Sequence, residues 1–186
     1  MTCSKVLLPT EFKASGATHQ QLFPFHHAIA DDLSPAIRNT VLETYQEDAQ
    51  SIYARDFDGV RPIYIAVQAN NKVAFDALVE LGAGVHLGER GNADGTTALE
   101  CFNDRMQFDR DFVDMFRPGT WDGYSKSNLE MEYGVKNAMG ILTGSESFNE
   151  YFNKYRYGCS CGQCIEGWLS PRMAFQLQCK FPFRSL

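Results

Sequence analysis

The sequence has no run of about 18 apolar residues, the length a membrane-spanning helix needs. It also lacks the patterns that most directly name a reaction. There is no G-x-x-x-x-G-K-[ST] phosphate loop, although glycine is dense in Gly88-Glu89-Arg90-Gly91-Asn92-Ala93-Asp94-Gly95. No G-x-S-x-G nucleophile elbow and no H-E-x-x-H zinc helix is present. Positive charge is in short supply: 17 Lys and Arg stand against 23 Asp and Glu, a formal net charge of -6. Phosphate backbones and anionic membranes need clustered Lys and Arg, so neither nucleic acid nor a membrane is expected as a partner. The opening Met1-Thr2-Cys3-Ser4-Lys5-Val6-Leu7-Leu8-Pro9 has a short apolar stretch broken by Pro9. It lacks the apolar core and small-residue cleavage site of a secretory signal, and Thr2 replaces the Gly that myristoylation requires. A cytoplasmic or nuclear location is expected, where thiols stay reduced.

What is present suits a folded domain. At 186 residues the chain is long enough for one domain, or one with an appendage. Its hydrophobic fraction of 44% and aromatic fraction of 13% argue for a packed core. The acidic balance reverses at the end, where five basic residues after Glu150 (Lys154, Arg156, Arg172, Lys180, Arg184) outnumber Glu150 and Glu166. A solvated surface face accounts for this reversal.

Two stretches echo the T-P-L-H-x-A signature of ankyrin repeats: Phe23-Pro24-Phe25-His26-His27-Ala28 and Arg61-Pro62-Ile63-Tyr64-Ile65-Ala66. Each is followed by a second helical pattern. Ser34-Pro35 predicts an N-cap and first turn ahead of Ile37, Val41, Leu42 and Tyr45. Asn70-Asn71 predicts a turn ahead of Val73, Phe75, Leu78, Val79 and Leu81, with Gly82 as the stop. Asp94-Gly95-Thr96-Thr97-Ala98-Leu99 restarts the cycle, with Glu100 standing where the motif has His. The intervals, 38 residues from Pro24 to Pro62 and 36 from Pro62 to Ala98, slightly exceed the ankyrin period. Fewer than about three repeats cannot bury their own faces, so a cap is needed. Three helical patterns supply one: Phe108, Phe112, Met115 and Phe116; then Leu129, Tyr133, Val135, Met139 and Leu142, with Gly134 as a weak point; then Phe148, Tyr151, Phe152 and Tyr155. Such aromatic stripes read as core.

The expected fold is therefore mainly α: a short degenerate ankyrin-repeat stack capped by C-terminal helices and a cysteine-rich metal knuckle. Residues 1–21 form an N-terminal arm, 22–105 the repeats, and 106–186 the cap with the cysteine-rich segment.

Four of the six cysteines lie in that last segment: Cys159, Cys161, Cys164 and Cys179. In Cys161-Gly162-Gln163-Cys164 the glycine allows a tight turn that points both sulfurs at one cation. Cys159 adds a third ligand and Cys179, on a helix starting at Ser170-Pro171, a fourth. Four thiolates suit a structural Zn2+ site, which contributes directly to folding. Two other readings stand beside it: reduced, partly buried thiols, and C-x-x-C redox chemistry, which lacks its usual βαβ context. The spacing does not match the common iron–sulfur patterns.

The block from Tyr157 to Met173, with Cys159-Ser160-Cys161-Gly162-Gln163-Cys164 and Leu169-Ser170-Pro171-Arg172-Met173, resembles the C-terminal block of a group of fungal ankyrin-repeat proteins. These join degenerate repeats to a C-x-C-G-x-C…L-S-P-R-M segment. The likeness runs from about Phe23 to Cys179, and the cysteine block is its specific part. It implies a fold and a binding role, with no reaction attached.

The remaining polar residues are assigned more simply. His26 takes the place of the motif histidine and is expected to hydrogen-bond within and between turns, while His19 and His86 have no neighbours that select a role. Asp109, Asp111 and Asp114 read as a solvated helix face, and Cys101 as core. The glycine-rich loop from Val85 to Asp94, carrying His86, Glu89, Arg90 and Asn92, is the expected contact surface for a protein partner. The expected function is a protein–protein interaction module with structural zinc. The competing reading is a small enzyme or thiol-redox protein that uses the C-terminal cysteines or a pocket between repeats and cap.

Overall fold

The computed structural model describes residues 18–91, 95–116, 125–142 and 147–157. Within these, helices joined by turns make up the protein, and no strand occurs among the described residues. The mainly α class is as expected. No helix among the described residues is long and apolar enough to cross a membrane.

A single turn, α1 (His19–Leu22), opens the described chain, with Thr18 and Gln21 forming a capping box. Next comes α2 (Pro24–Asp31), started by a proline whose missing N–H costs nothing in a first turn. Then α3 (Ile37–Glu47) begins two residues later than Ser34-Pro35 suggests. Ser34 Oγ accepts the Ala36 N–H at 3.3 Å, so this serine closes a turn ahead of the helix. A 3-10 turn, Ser51–Tyr53, leads into α4 (Pro62–Gln68), again with proline at its start. Asn71 caps α5 (Lys72–Glu80) by accepting the Ala74 N–H at 3.1 Å. Gly82, at φ 93°, supplies the left-handed stop.

The next helix, α6 (Ala98–Phe116), runs unbroken across residue 105. Its start is a second capping box. Glu100 accepts the Thr97 N–H at 2.8 Å, and Thr97 Oγ1 accepts the Glu100 N–H at 3.2 Å. The residue that breaks the repeat motif thus has a local role of its own. After α7 (Lys126–Ala138), a third such box between Ser147 and Glu150 opens α8 (Phe148–Tyr157).

These helices stack in two layers. In one, α2, α4 and α6 lie side by side; in the other, α3, α5 and α7 do the same, and α8 rests on α7. At the centre, Pro62 through Val67 of α4 are all buried. A helix apolar all round must be covered all round. The core extends to Ile29, Ile37 and Val41 on one side and to Phe75, Leu78, Phe102, Met106, Met131 and Val135 on the other.

Polar links cross the stack in a repeating register. His26 Nε2 lies 3.2 Å from the Val60 carbonyl, and Tyr64 Oη lies 3.0 Å from Thr96 Oγ1. Val60 and Thr96 each stand two residues before the start of an inner helix, at Pro62 and Ala98. Asn71 Nδ2 donates to the carbonyls of Ile29 and Asp32, both at 2.8 Å, and ties α5 to the end of α2. Buried carbonyls beyond a helix end need such partners.

Two expectations about the cap change. Among the described side chains of α6, which packs on α4, Ala98, Cys101, Phe102 and Met106 are buried, while Phe108 is 55% and Met115 70% exposed; the side chains of Phe112 and Phe116 lie outside those described. The spacing of a stripe marks a face, and the neighbouring layer decides which face is covered. Gly134 is no weak point either, since α7 continues through it. A β-carbon there would sit 3.1 Å from both Lys72 Cε and the buried Phe75 ring, so the missing side chain lets α7 approach α5.

Candidate functional site

The four proposed zinc ligands, Cys159, Cys161, Cys164 and Cys179, lie outside the described residues. Among the described residues no three His, Cys, Asp or Glu side chains gather where they could share a metal ion. Cys101 is the one cysteine that falls among them. It is 1% exposed on the inner face of α6, and it is disulfide-bonded. The expected core position holds, while the expectation of reduced thiols does not hold at this residue. A sulfur joined in a disulfide is not a thiolate ligand, so the identity of the cysteine paired with Cys101 decides whether all four proposed ligands stay available.

The expected contact loop is braced through Gly91. Residues Ala83–His86 form a 3-10 turn, and Leu87 is buried at 1% exposure. Glu89 is the hub. It accepts hydrogen bonds from Arg55 Nη2 at 2.6 Å, Arg61 Nε at 2.9 Å and His86 Nδ1 at 2.5 Å. The bond from His86 holds its carboxyl below the ordinary carboxylate range; burial opposes this and Arg61 reinforces it. Arg61 also donates to the Tyr53 carbonyl, and Arg55 Nη1 to that of Gly59 at 2.6 Å. The loop residues Glu89 and His86 thus tie the segment to the preceding turn, while Arg90 stays exposed and Asn92 lies outside the described residues.

Another group of titratable side chains among the described residues lies where α1, α2 and the turn before α4 meet. Three of the four histidines are here: His19, His26 and His27. Asp56 organises them. Its Oδ1 accepts the backbone N–H of Asp58 at 3.0 Å and of Val60 at 2.8 Å. Its Oδ2 lies 3.3 Å from His19 Nε2, with both side chains 1% exposed. The other nitrogen of His19, Nδ1, lies 3.0 Å from His27 Nε2. The outer nitrogen of His27 faces the exposed carboxylate of Asp31 at 4.0 Å. Phe23 and Phe57 flank the His19 ring, with centroids at 5.0 and 6.3 Å.

This makes a chain of polar groups from a buried carboxylate to the surface. His27 opens onto a depression of about 420 Å³ lined by Gln20, Pro24, Ala28, Asp31 and Asp32. Burial, and after it the neighbouring His19, push the His27 pKa below the ordinary histidine value, against the pull of Asp31. Burial likewise lowers that of His26, with Asp56 and the Val60 carbonyl opposing. His26 has the linking role expected of it. His19 and Asp56 carry no motif. The sole sequence signal for Asp56 is the turn Asp56-Phe57-Asp58-Gly59, in which an aspartate ahead of a glycine accepts nearby backbone N–H groups.

The chain matches no known family model, no curated protein and no solved structure.

Proposed function

We propose that the chain is a short ankyrin-type stack, related to the fungal proteins that it resembles, and that it serves as a protein–protein interaction module. One observation carries this reading. The bond from His26 to Val60 and the bond between Tyr64 and Thr96 join successive helix pairs at the same register. Helix pairs stacked through such links form an extended, rigid surface with turns projecting from one side, the usual platform for protein partners. The turns at Phe57-Asp58 and Arg90 carry exposed groups. In the cysteine-rich segment, four sulfur donors suit a structural zinc ion that fastens the C-terminal end.

The test is capture of the partner by cross-linking in the native host, followed by measured binding. Arg90→Glu weakens binding by about tenfold or more while leaving the melting temperature near wild type, as expected for an exposed contact charge. Binding that survives this change but fails in Arg172→Gln/Lys180→Gln places the partner on the cysteine-rich end and overturns the assignment. A second reading, thiol–disulfide chemistry, is favoured by the disulfide at Cys101. The depth of that residue suits a structural staple better than an attacking thiol.

A further inference from the structure

His19 belongs to a helix of one turn, and isolated helices this short do not persist in water. Its buried ring, set against Asp56 and His27, fastens α1 to the body of the protein. A carboxylate can only accept, so His19 Nε2 carries a hydrogen toward Asp56. In the 3.0 Å gap between His19 Nδ1 and His27 Nε2 there is room for one hydrogen. When both rings are neutral, His27 donates and His19 accepts.

One added proton leaves this bond intact. It can sit on His27 Nδ1, facing Asp31 at 4.0 Å, with the inner hydrogen unmoved. It can equally sit on His19, which then donates across the gap while His27 turns its remaining N–H toward Asp31. A second proton has no such place. Both facing nitrogens would then carry hydrogens, and two cationic rings would stand 5.1 Å apart between centroids. Among the described residues, the charged and titratable groups facing the pair are Asp56 from the turn before α4, and His26 and Asp31 from α2; Asp32 lines the depression nearby. Asp31 is 75% exposed, so water screens its attraction. Asp56 can attract one cation, not separate two N–H groups.

We propose that the His19–His27 pair is a one-proton latch, which holds α1 against the body of the protein and releases it when acidification forces a second proton onto the pair. The release alters a surface. Leu22 and Phe23, at the end of α1, line a groove of about 440 Å³ with Phe25, Thr40, Thr44 and Glu47 of α2 and α3. Opening α1 removes that wall.

A histidine free of such partners takes up its proton at mildly acidic pH. There, each proton bound by the open state and refused by the closed one favours opening by about tenfold per pH unit. Hydrogen exchange reads this directly. The amides of Leu22 and Phe23, bonded to the carbonyls of Thr18 and His19 at 3.2 and 2.8 Å, report on α1. Corrected for intrinsic rates, their opening rises about tenfold between pH 6.5 and 5.5, while Val67 and Leu78 in the core stay protected. In His27→Gln the rise disappears. A glutamine amide donates to neutral His19 and rotates to accept from the charged ring. An equal rise in this variant, or a flat profile in the wild type, overturns the latch. Ring-nitrogen NMR of the wild type is a second readout that needs no variant. The expected result is that uptake of the second proton by the pair and the change in the α1 signals occur together. Uptake of a proton by both rings with α1 undisturbed overturns the proposal.

Discussion

At Glu89 one carboxylate meets Arg55, Arg61 and the His86 ring. In sequence it is an acidic residue among glycines, indistinguishable from a solvated loop charge. Glu89→Gln is expected to lower stability at neutral pH by about 0.5–1 kcal/mol, the scale of a partly exposed ion network after solvent screening. The pH dependence has a definite sign. The folded carboxyl titrates below its unfolded counterpart, because His86 and then Arg61 stabilise its charged form. The contribution is therefore whole above the unfolded value and is lost as pH falls through the lower folded one. Thermal melts from pH 6 to pH 3 should show a steeper acid loss in wild type than in Glu89→Gln. Parallel curves would mean that the hub adds nothing. Gly134 teaches a related lesson. Its identity is plain in the sequence, yet its reason, the Phe75 ring 3.1 Å from where a β-carbon would be, belongs to another helix.

Helix starts were legible in the sequence because their chemistry is local. Proline at the head of α2 and α4, Asn71 at α5 and Gly82 after it all act within a few residues of where they stand. The Thr97–Glu100 box is also local, but at this position the repeat motif expects histidine. Thr97→Ala should therefore cost about 1 kcal/mol by denaturant unfolding, as cap removal does elsewhere. Glu100→His, which restores the motif residue, should destabilise as well, since a side chain that accepts from the Thr97 N–H is lost. A stabilised Glu100→His variant would show that position 100 is governed by contacts between neighbouring helix pairs instead. The exposed Phe108 and Met115 mark where local reasoning ends. Periodicity identifies a stripe, but the side that meets the adjacent layer is a relation between α6 and α4.

For the whole molecule, the disulfide at Cys101 and the proposed zinc site make a joint prediction. The other five cysteines are Cys3 and four in the C-terminal segment, including the proposed ligands Cys159, Cys161, Cys164 and Cys179. Peptide mapping under non-reducing conditions, paired with elemental analysis, separates the possibilities. Pairing of Cys101 with Cys3 leaves four ligands and should accompany about one zinc per chain. Pairing with one of the four removes a ligand, and a full complement of zinc in that material would refute the assigned quartet. The sequence by itself determined the helical class, the starts of most helices and the recurrence of helix pairs, since each depends on chemical neighbours close along the chain. Tertiary structure alone decided which faces are covered, that Glu89 braces a turn, and that His19 and His27 meet Asp56. The contact of His19 with Asp56 alone joins residues 37 positions apart, and no local spacing encodes which distant side chain will fill a buried gap.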